Sequence, residues 1–190
     1  FLVSTRLWHG LFEPIIRRAA GLGVSDESPD ISRYDSHYQH ADIVIVGAGP
    51  TGLQAARTAA QSGARVILVE QDSLCGGSLL RDPVTIDGKD ADAWIAGVEA
   101  ELAAMPNVRV MTRTTLSGIF DHNMLTALER VTDHLDPGQA GLHTPRMRWH
   151  RIRARQVVLA TGAFERPLVF RNNDPPGIMS AGAVETYLQR

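Results

Sequence analysis

The feature that most constrains the fold of this chain is a glycine-rich turn between two apolar runs. Asp42–Val46 (DIVIV) is a continuous β-branched run, which is typical of a buried parallel strand. It leads directly into Gly47-Ala48-Gly49-Pro50-Thr51-Gly52, and a predicted helix follows over Thr51–Ser62. A second buried strand, Arg65–Val69, ends at Glu70. This strand–turn–helix–strand–acid order predicts a βαβ unit that binds the ADP part of a dinucleotide.

Each residue type in the turn has a physical role. Gly47 permits the tight turn out of the strand, Gly49 lets the backbone approach a pyrophosphate, and Gly52 lets the helix pack closely on the strand. Pro50 and Thr51 open the helix, whose free N–H groups and positive dipole end would face the phosphates. The Glu70 carboxylate can accept hydrogen bonds from ribose hydroxyls and would repel a 2′-phosphate. NAD or FAD is therefore favoured over NADP.

Two further segments are expected at the same edge of the sheet. Gly76-Gly77-Ser78 follows the second strand, and Thr161-Gly162 follows the apolar run Gln156–Ala160. In a doubly wound sheet the ligand binds at the carboxyl ends of the strands. Gly77, Ser78, Thr161 and Gly162 are therefore candidate ligand contacts. The alternatives are an ordinary flexible loop for the first segment and a simple strand-ending turn for the second.

The remaining pattern completes an α/β prediction. A helix is expected over Asp90–Met105 and a strand over Val108–Thr112. Residues 113–155 contain Gly118, Pro137-Gly138 and Pro145, and they predict an antiparallel ribbon with strands near 115–120, 123–131 and 146–153. We therefore predict a Rossmann-like FAD/NAD(P)-binding fold with a parallel sheet, helices and a small antiparallel β-ribbon insertion.

Two domains are predicted. Residues 1–40 are predicted to form a leader helix followed by a polar linker over residues 24–40. Residues 41–190 are predicted to form a dinucleotide-binding domain that is incomplete at its C-terminus. In the leader, Glu13-Pro14 is expected to start the helix and Gly21 to cap it. The chain begins with Phe1 and ends inside a predicted helix, so both ends are expected to be cut from a longer protein.

Composition removes several classes of function. The net charge of −2 gives no general attraction to nucleic acid or to an anionic membrane, and the N-terminal apolar stretch is interrupted by charged residues. The single cysteine, Cys75, excludes an internal disulfide and a Cys-rich metal site, and it suits a reducing cytoplasm. No metal site is predicted, because the histidines lack ligand spacing. They are instead expected to be solvated or capping residues; these are His122, His134, His143 and His150.

The chain resembles the two-dinucleotide-binding-domain flavoproteins in three features. These are the motif GAGPTG, the acid Glu70 and the motif VVLATGA. Longer stretches resemble the alpha subunits of heterotetrameric sarcosine oxidases, and the resemblance covers nearly the whole chain. These stretches are Phe12–Gly23 (FEPIIRRAAGLG), Cys75–Leu80 (CGGSLL), Asp121–Leu135 (DHNMLTALERVTDHL) and Ala160–Arg190.

The resemblance implies an oxidoreductase subunit that acts on CH–NH donors. In that family the alpha subunit binds NAD, the beta subunit holds FAD and oxidises the amine, and FMN lies between alpha and beta. Gamma and delta subunits complete the complex, and a folate-binding domain follows in the alpha subunit. Sarcosine is demethylated to glycine with formation of hydrogen peroxide. The resemblance assigns no catalytic residue to this segment, and the implied NAD contacts are Gly47, Gly49, Pro50, Thr51, Gly52, Glu70, Gly77, Ser78, Thr161 and Gly162.

Other functions stay open at this point. The chain resembles, in part, FAD-binding subunits of opine oxidases and hydrogen cyanide synthase, and the fingerprint reads only the ADP half that NAD and FAD share. A non-catalytic module that binds a dinucleotide for assembly also fits. A self-contained disulfide reductase fits poorly, because its chemistry needs a cysteine pair and only Cys75 is present.

Overall fold

The computed structural model describes residues 4–23, 28–82, 84–136, 139, 141 and 143–189, and they form two units that divide after Ile31. The first unit contains α1 (Thr5–Leu7), a π-helical segment (Trp8–Phe12) and α2 (Glu13–Ala19). The predicted cap is present: Gly21 has φ +67°, and the Leu22 N–H donates to the Arg17 carbonyl at 3.1 Å. Residues 24–27 of the expected linker and Pro137-Gly138 lie outside the described residues.

The second unit is built on a six-stranded mixed sheet in the order β5-β2-β1-β8-β7-β6. Strands β5, β2, β1 and β8 are parallel, whereas β8, β7 and β6 form an antiparallel ribbon. This arrangement confirms the predicted Rossmann-like α/β fold with a β-ribbon. Its elements are β1 (Tyr34–Val46), α3 (Pro50–Gln61), β2 (Val66–Val69), a 3₁₀ turn (Gly77–Leu80), β3 (Thr85–Ile86), β4 (Lys89–Asp90), α4 (Ala91–Ala103), β5 (Val108–Met111), β6 (Thr114–Phe120), a 3₁₀ turn (Asp121–Asn123), β7 (Met124–Arg130), β8 (Met147–Leu159) and α5 (Ala181–Gln189).

Alternating positions of the parallel strands bury side chains on both faces of the sheet. On one face Ile45 and Leu68 pack with Leu53 of α3 and with Trp94 and Leu102 of α4. The other face forms a second cluster with residues of the antiparallel ribbon. Burial on both faces explains why the C-terminal end of β1 and the whole of β2 are continuous apolar runs. The second cluster contains Ala41, Val44, Val46, Ile67, Val69, Met111, Leu125, Ile152 and Ala154.

Strand β1 begins earlier than predicted. Residues 34–40 were expected to be linker, but Tyr34–Ala41 pairs in register with Met147–Ala154 of β8. The register is interrupted at Asp42, whose carboxylate instead binds the Arg65 guanidinium at 3.0 Å. Residues 34–40 are polar, so their sequence did not predict a strand. They form one because hydrogen bonds to β8, rather than apolar burial alone, stabilise it.

Strand β8 also differs from prediction. The expected strands 146–153 and 156–160 are one continuous strand, because β1 supplies a pairing partner along its whole length. The second half is not buried as expected: the side chain of Leu159 is 62% exposed. Strand β7 pairs with β8 only from Met147 to Arg153. Beyond that point, within the described residues, β8 has a partner on one side only.

His150 is a buried residue, contrary to the prediction that the histidines are solvated or capping. It is 0% exposed; its Nε2 lies 2.7 Å from Glu129 Oε2 and its Nδ1 lies 2.6 Å from Gln39 Nε2. The side-chain oxygen Oε1 of Gln39 accepts a hydrogen bond from Arg109 Nη1. The side-chain NH₂ of Gln39 therefore donates to His150 Nδ1, and the ring proton resides on Nε2. Burial, together with the charges of Arg109 and His37, lowers the pKa of His150 despite the opposing carboxylate of Glu129.

The described part of the chain contains neither a metal-binding cluster nor a membrane-crossing helix. No group of three or more His, Cys, Asp or Glu side chains there is arranged to hold a metal ion. No helix among those residues is both long enough and apolar enough to cross a membrane.

The buried His150 predicts a stability that depends on pH. Its pKa is lower in the folded chain than the value of about 6.5 expected when unfolded, so the unfolded state takes up the proton first as the pH falls. The free energy of unfolding should therefore decrease below about pH 6.5, with a slope of at most about 1.4 kcal/mol per pH unit for one proton. Denaturant unfolding between pH 7.5 and 5 should show a smaller slope for His150→Gln than for the original chain. The exposed strand residue His40, changed to Gln, is the control and should keep the original slope.

Candidate dinucleotide-binding site

The glycine-rich turn brings three backbone segments together at the carboxyl ends of the strands. Gly47 donates its N–H to the Val69 carbonyl at 2.8 Å and has φ +97°. A Cβ on Gly47 would lie 2.4 Å from the Ala160 carbonyl oxygen, and a Cβ on Gly52 would lie 1.8 Å from the Gly47 carbonyl oxygen. Real Cβ atoms do not approach backbone this closely. The turn therefore needs glycine at both positions, as the sequence predicts.

Helix α3 opens towards the turn without a side-chain cap. Gly49 is its N-cap residue, Pro50 occupies the first turn, and the Leu53 N–H makes the first helical hydrogen bond, to the Gly49 carbonyl at 2.9 Å. By helix geometry the amides of Thr51 and Gly52 point out of the N-terminal end. This end carries a positive partial charge, which favours a phosphate group.

The second pair of glycines packs directly on the first turn. The Gly76 N–H donates to the Ala48 carbonyl at 2.8 Å, and a Cβ on Gly77 would lie 2.8 Å from the Gly49 Cα. Gly77 also has φ +55°, in the left-handed region that favours glycine. The two segments thus form one wall made largely of backbone. That backbone is accessible to a ligand at the end of α3.

Glu70 connects this wall to the end of β2. Its side chain is only 8% exposed; Oε2 accepts the Ala48 N–H at 2.6 Å and Oε1 accepts the Asp72 N–H at 2.8 Å. Each carboxylate oxygen can accept a further hydrogen bond, because it has two lone pairs. Glu70 can therefore hold the glycine turn in place and still accept ribose hydroxyls. The sequence predicted the role toward ribose, which stays a prediction, but it gave no sign of the contacts that hold the turn.

These segments surround a cleft with a volume of about 800 Å³. That size lies in the range of small-molecule and cofactor pockets. Nine of the ten predicted contacts line it, whereas Gly52 lies behind the wall, where it packs α3 against Gly47. The lining residues are Val46, Gly47, Gly49, Pro50, Thr51, Val69, Glu70, Gln71, Asp72, Leu74, Gly77, Ser78, Arg81, Thr114, Thr115, Leu116, Leu159, Ala160, Thr161, Gly162, Ala163 and Phe164.

The fold adds lining residues that the motifs do not reveal. Thr114–Leu116 reaches the cleft because the Thr114 N–H donates to the Glu70 carbonyl at 2.8 Å, which fixes the start of β6 beside β2. Asp72 lies there because the Arg113 N–H donates to its carbonyl. These contacts depend on how the ribbon folds back on the parallel strands. The weak alternation of residues 113–155 carries no signal for that geometry.

Cys75 is packed in the core beside the second glycine pair and is 2% exposed. Burial, followed by the nearby carboxylate of Glu99, raises the pKa of its thiol to about 12. The sulfur is therefore protonated near neutral pH, whereas nucleophilic redox cysteines are thiolates. Cys75 is therefore a packing residue, and its high pKa counts against disulfide reductase chemistry.

Comparison with known proteins agrees with this geometry. A family model described as FAD dependent oxidoreductase matches residues 42–145, which include the glycine-rich turn and the ribbon strands β6 and β7. The chain belongs to this family. Among solved structures, L-proline dehydrogenase from P. horikoshii is similar, with a TM-score of 0.59, 26% sequence identity and coverage of 75% of this chain and 26% of the dehydrogenase.

This member of the FAD dependent oxidoreductase family is similar over its whole length to sarcosine oxidase alpha subunits. It is 50% identical over 190 residues to that of Rhizobium meliloti (strain 1021), covering 100% of this chain and 19% of the relative. It is 55% identical over 171 residues to the alpha subunit of Corynebacterium sp. (strain P-1), a match that covers 88% of this chain and 17% of the relative. These matches confirm the resemblance predicted from the motifs. The chain spans about a fifth of the length of these relatives.

Replacing Gly47 tests the close approach of the backbone segments. Gly47→Ala should lower the free energy of unfolding by about 1–2 kcal/mol because alanine is strained at a positive φ. The clash of the added Cβ with the Ala160 backbone should lower it by roughly 1–3 kcal/mol more. The matched control is Gly63→Ala, since Gly63 has φ +83° with nothing near the added Cβ. It should show only the first cost in denaturant unfolding. Equal losses in the two variants would contradict the packing described.

Proposed function

We propose that this chain is the dinucleotide-binding part of a sarcosine oxidase alpha subunit and that its dinucleotide is NAD. The observation that carries dinucleotide binding is the approach of Gly77 to Gly49 at the open end of α3, beside the Glu70 carboxylate. The assignment to sarcosine oxidase rests on the 50% identity across all 190 residues. The assignment of residues 1–40 as a leader and residues 41–190 as the dinucleotide-binding domain remains a prediction, except that β1 starts at Tyr34.

The residues of the cleft fit the ADP half of such a ligand. The amides at the start of α3 would bind the pyrophosphate, and Gly49 and Gly77 would let it approach the backbone. Glu70 would accept the hydroxyls of the adenosine ribose. Ser78, Thr161 and Gly162 would contact the part of the ligand that extends past the pyrophosphate. Once bound, a nicotinamide or flavin ring would supply a site for hydride transfer.

FAD is the second candidate for the same cleft. The family model that matches residues 42–145 describes FAD-dependent oxidoreductases, and FAD contains the same ADP half. A role in assembly without redox turnover is a further candidate, since a tightly bound dinucleotide stabilises a folded domain by mass action. NAD is the first candidate because the chain resembles the alpha subunits of sarcosine oxidases, a family in which that subunit binds NAD.

The remaining assignments follow from the same similarity. We infer that the protein works with beta, gamma and delta subunits in a heterotetramer, with FAD on the beta subunit, FMN between alpha and beta, and a folate-binding domain in the alpha subunit. The complex would convert sarcosine to glycine and a one-carbon unit and would pass the electrons to oxygen, giving hydrogen peroxide. We propose a cytoplasmic location, which suits a single buried thiol.

Identifying the bound ligand tests the choice of cofactor. The alpha subunit, expressed alone, should release NAD on denaturation, identified by mass and by absorbance near 260 nm without a flavin band. Replacing Gly77 by Val should abolish this bound NAD, because the side chain would fill the space next to Gly49. Release of FAD instead would overturn the NAD assignment and favour the second candidate.

The Glu70 carboxylate should determine discrimination against a 2′-phosphate. ADP-ribose and its 2′-phosphate are suitable probes, because both report on the ADP half whichever cofactor is bound. Glu70→Gln should reduce the preference for ADP-ribose by about tenfold, because it removes the charge that repels the phosphate. Calorimetric titration gives the ratio of the two Kd values. The exposed helix residue Glu101, changed to Gln, should leave this ratio unchanged.

Any general loosening of the Glu70→Gln variant would lower both affinities together and leave their ratio constant. An unchanged ratio in Glu70→Gln would therefore show that Glu70 holds the turn but does not read the ribose.

A further inference from the structure

The antiparallel ribbon and the first half of β1 share one face, on which strand pairing aligns the side chains. His40 of β1 lies opposite Arg153 of β8, and Arg153 lies opposite Met124 of β7. Met124 in turn lies opposite Phe120 of β6. Residues opposite each other in neighbouring strands point to the same face of a sheet. This surface, the ribbon face, consists of the paired residues Tyr34, Ser36, Tyr38, His40, Met147, Trp149, Arg151, Arg153, Met124, Thr126, Leu128, Arg130, Thr115, Gly118 and Phe120.

Large side chains of the ribbon face are exposed to solvent. Tyr38 is 71% exposed and Phe120 is 59% exposed, and Trp149 and Met147 are partly exposed. Aromatic residues, methionine and arginine are enriched in protein–protein interfaces. Exposed apolar residues on other surfaces are usually scattered singly. The ribbon face therefore has the composition of an interface.

The ribbon face is also cationic. No Asp or Glu occupies any of its paired positions. The acids of the same strands, Asp35 and Glu129, lie on the opposite face, where Asp35 binds Arg148 at 2.9 Å and Glu129 binds His150 at 2.7 Å. The carboxylates of these strands are thus paired with cations away from the ribbon face.

Neutral groups hold the two central arginines of the ribbon face. Arg151 Nη1 donates to the Tyr38 hydroxyl at 2.9 Å and to the Ser36 hydroxyl at 3.1 Å, and the guanidinium lies 5.1 Å from the centroid of the Tyr38 ring. Arg153 Nη1 donates to the His122 carbonyl at 3.1 Å. These contacts orient both guanidinium groups without offsetting their charge. Each group keeps further N–H donors, which suit a carboxylate.

The charge of the ribbon face selects among its conceivable occupants. In a symmetric pair of copies the same patch meets itself, so Arg151 and Arg153 would face like charges. Nucleic acid is disfavoured, because the chain as a whole has a net charge of −2. A protein surface that carries carboxylates among apolar side chains complements both the arginines and the exposed aromatic rings.

We propose that the ribbon face is the docking surface for a separate subunit of the oxidase, one that presents carboxylates to Arg151 and Arg153 and apolar side chains to Tyr38 and Phe120. The inference rests on the proposed function, which places the chain in a multisubunit enzyme, and deepens it by assigning one surface to assembly. None of these four residues lines the cleft. Assembly and dinucleotide binding can therefore be tested separately.

Footprinting with hydroxyl radicals shows what covers the ribbon face. The full-length alpha subunit is labelled alone and in the complex with its partner subunits, and oxidation is measured by mass spectrometry. Tyr38 and Phe120 should be labelled in the alpha subunit alone, and their labelling should fall at least about fivefold in the complex, because an interface packs like a protein interior. Protection already present in the alpha subunit alone would show that the rest of the same chain covers the face. That result, or equal labelling in both samples, would overturn the inference.

Charge reversal tests the predicted complementarity. Arg153→Glu in the full-length alpha subunit should raise the Kd for the partner subunits by at least about tenfold, because it places like charges opposite each other. Arg153→Gln should raise it by a smaller factor, because it removes the charge without reversing it. The matched control is Lys89→Glu, which reverses an exposed cation on β4 and should leave the Kd unchanged. Retention of the bound dinucleotide shows that each variant is folded.

The remaining outcomes separate this inference from the proposed function. An unchanged Kd in both Arg153 variants would overturn the inference, and so would protection of Tyr38 and Phe120 by single-stranded DNA in place of the partner subunits. Either result would leave the proposed dinucleotide binding intact. Failure of the original alpha subunit to join any other subunit would overturn both the inference and the proposed assembly.

Discussion

The close approach of backbone to backbone at the carboxyl edge of the sheet is the constraint on which the rest of this structure depends. Gly47 lies against Ala160 at the end of β8, Gly52 lies against Gly47, and Gly77 lies against Gly49. The three contacts join the first strand, the first helix, the segment after the second strand and the last strand. A side chain at any of these positions would push the elements apart. The cleft exists because those elements meet without side chains between them.

Glu70 shows how the site is held in shape by groups that can also bind a ligand. Its carboxylate joins the Ala48 amide of the turn to the Asp72 amide beyond β2, and its own backbone pairs with Met111 and Thr114. One residue thus connects the glycine turn, β5 and the start of the ribbon. A nearly buried carboxylate is tolerated there because backbone N–H groups satisfy it. The residue that would read the ribose is therefore preorganised before a ligand arrives.

The sequence allowed prediction of the parts that depend on local chemistry. The βαβ unit around Gly47 and the cap at Gly21 follow from glycine, apolar runs and an acid at set spacings. The start of β1 at Tyr34 and the burial of His150 did not follow, because both depend on strands more than a hundred residues away in the chain. A polar segment such as residues 34–40 becomes a strand only when β8 pairs with it. Sequence alone gives no measure of that pairing.

The same distinction explains why the choice between NAD and FAD is harder to read than the presence of a dinucleotide. The amides at the start of α3, Gly77 and Glu70 all address the ADP half, which the two cofactors share. The other half would extend along Thr161–Phe164 after β8, where the chain is exposed rather than packed against a strand. Discrimination there depends on side chains and on neighbouring protein, not on a fixed backbone pattern. Backbone contacts at the glycine-rich turn therefore select the ADP half, whereas side chains and neighbouring protein select the reactive half.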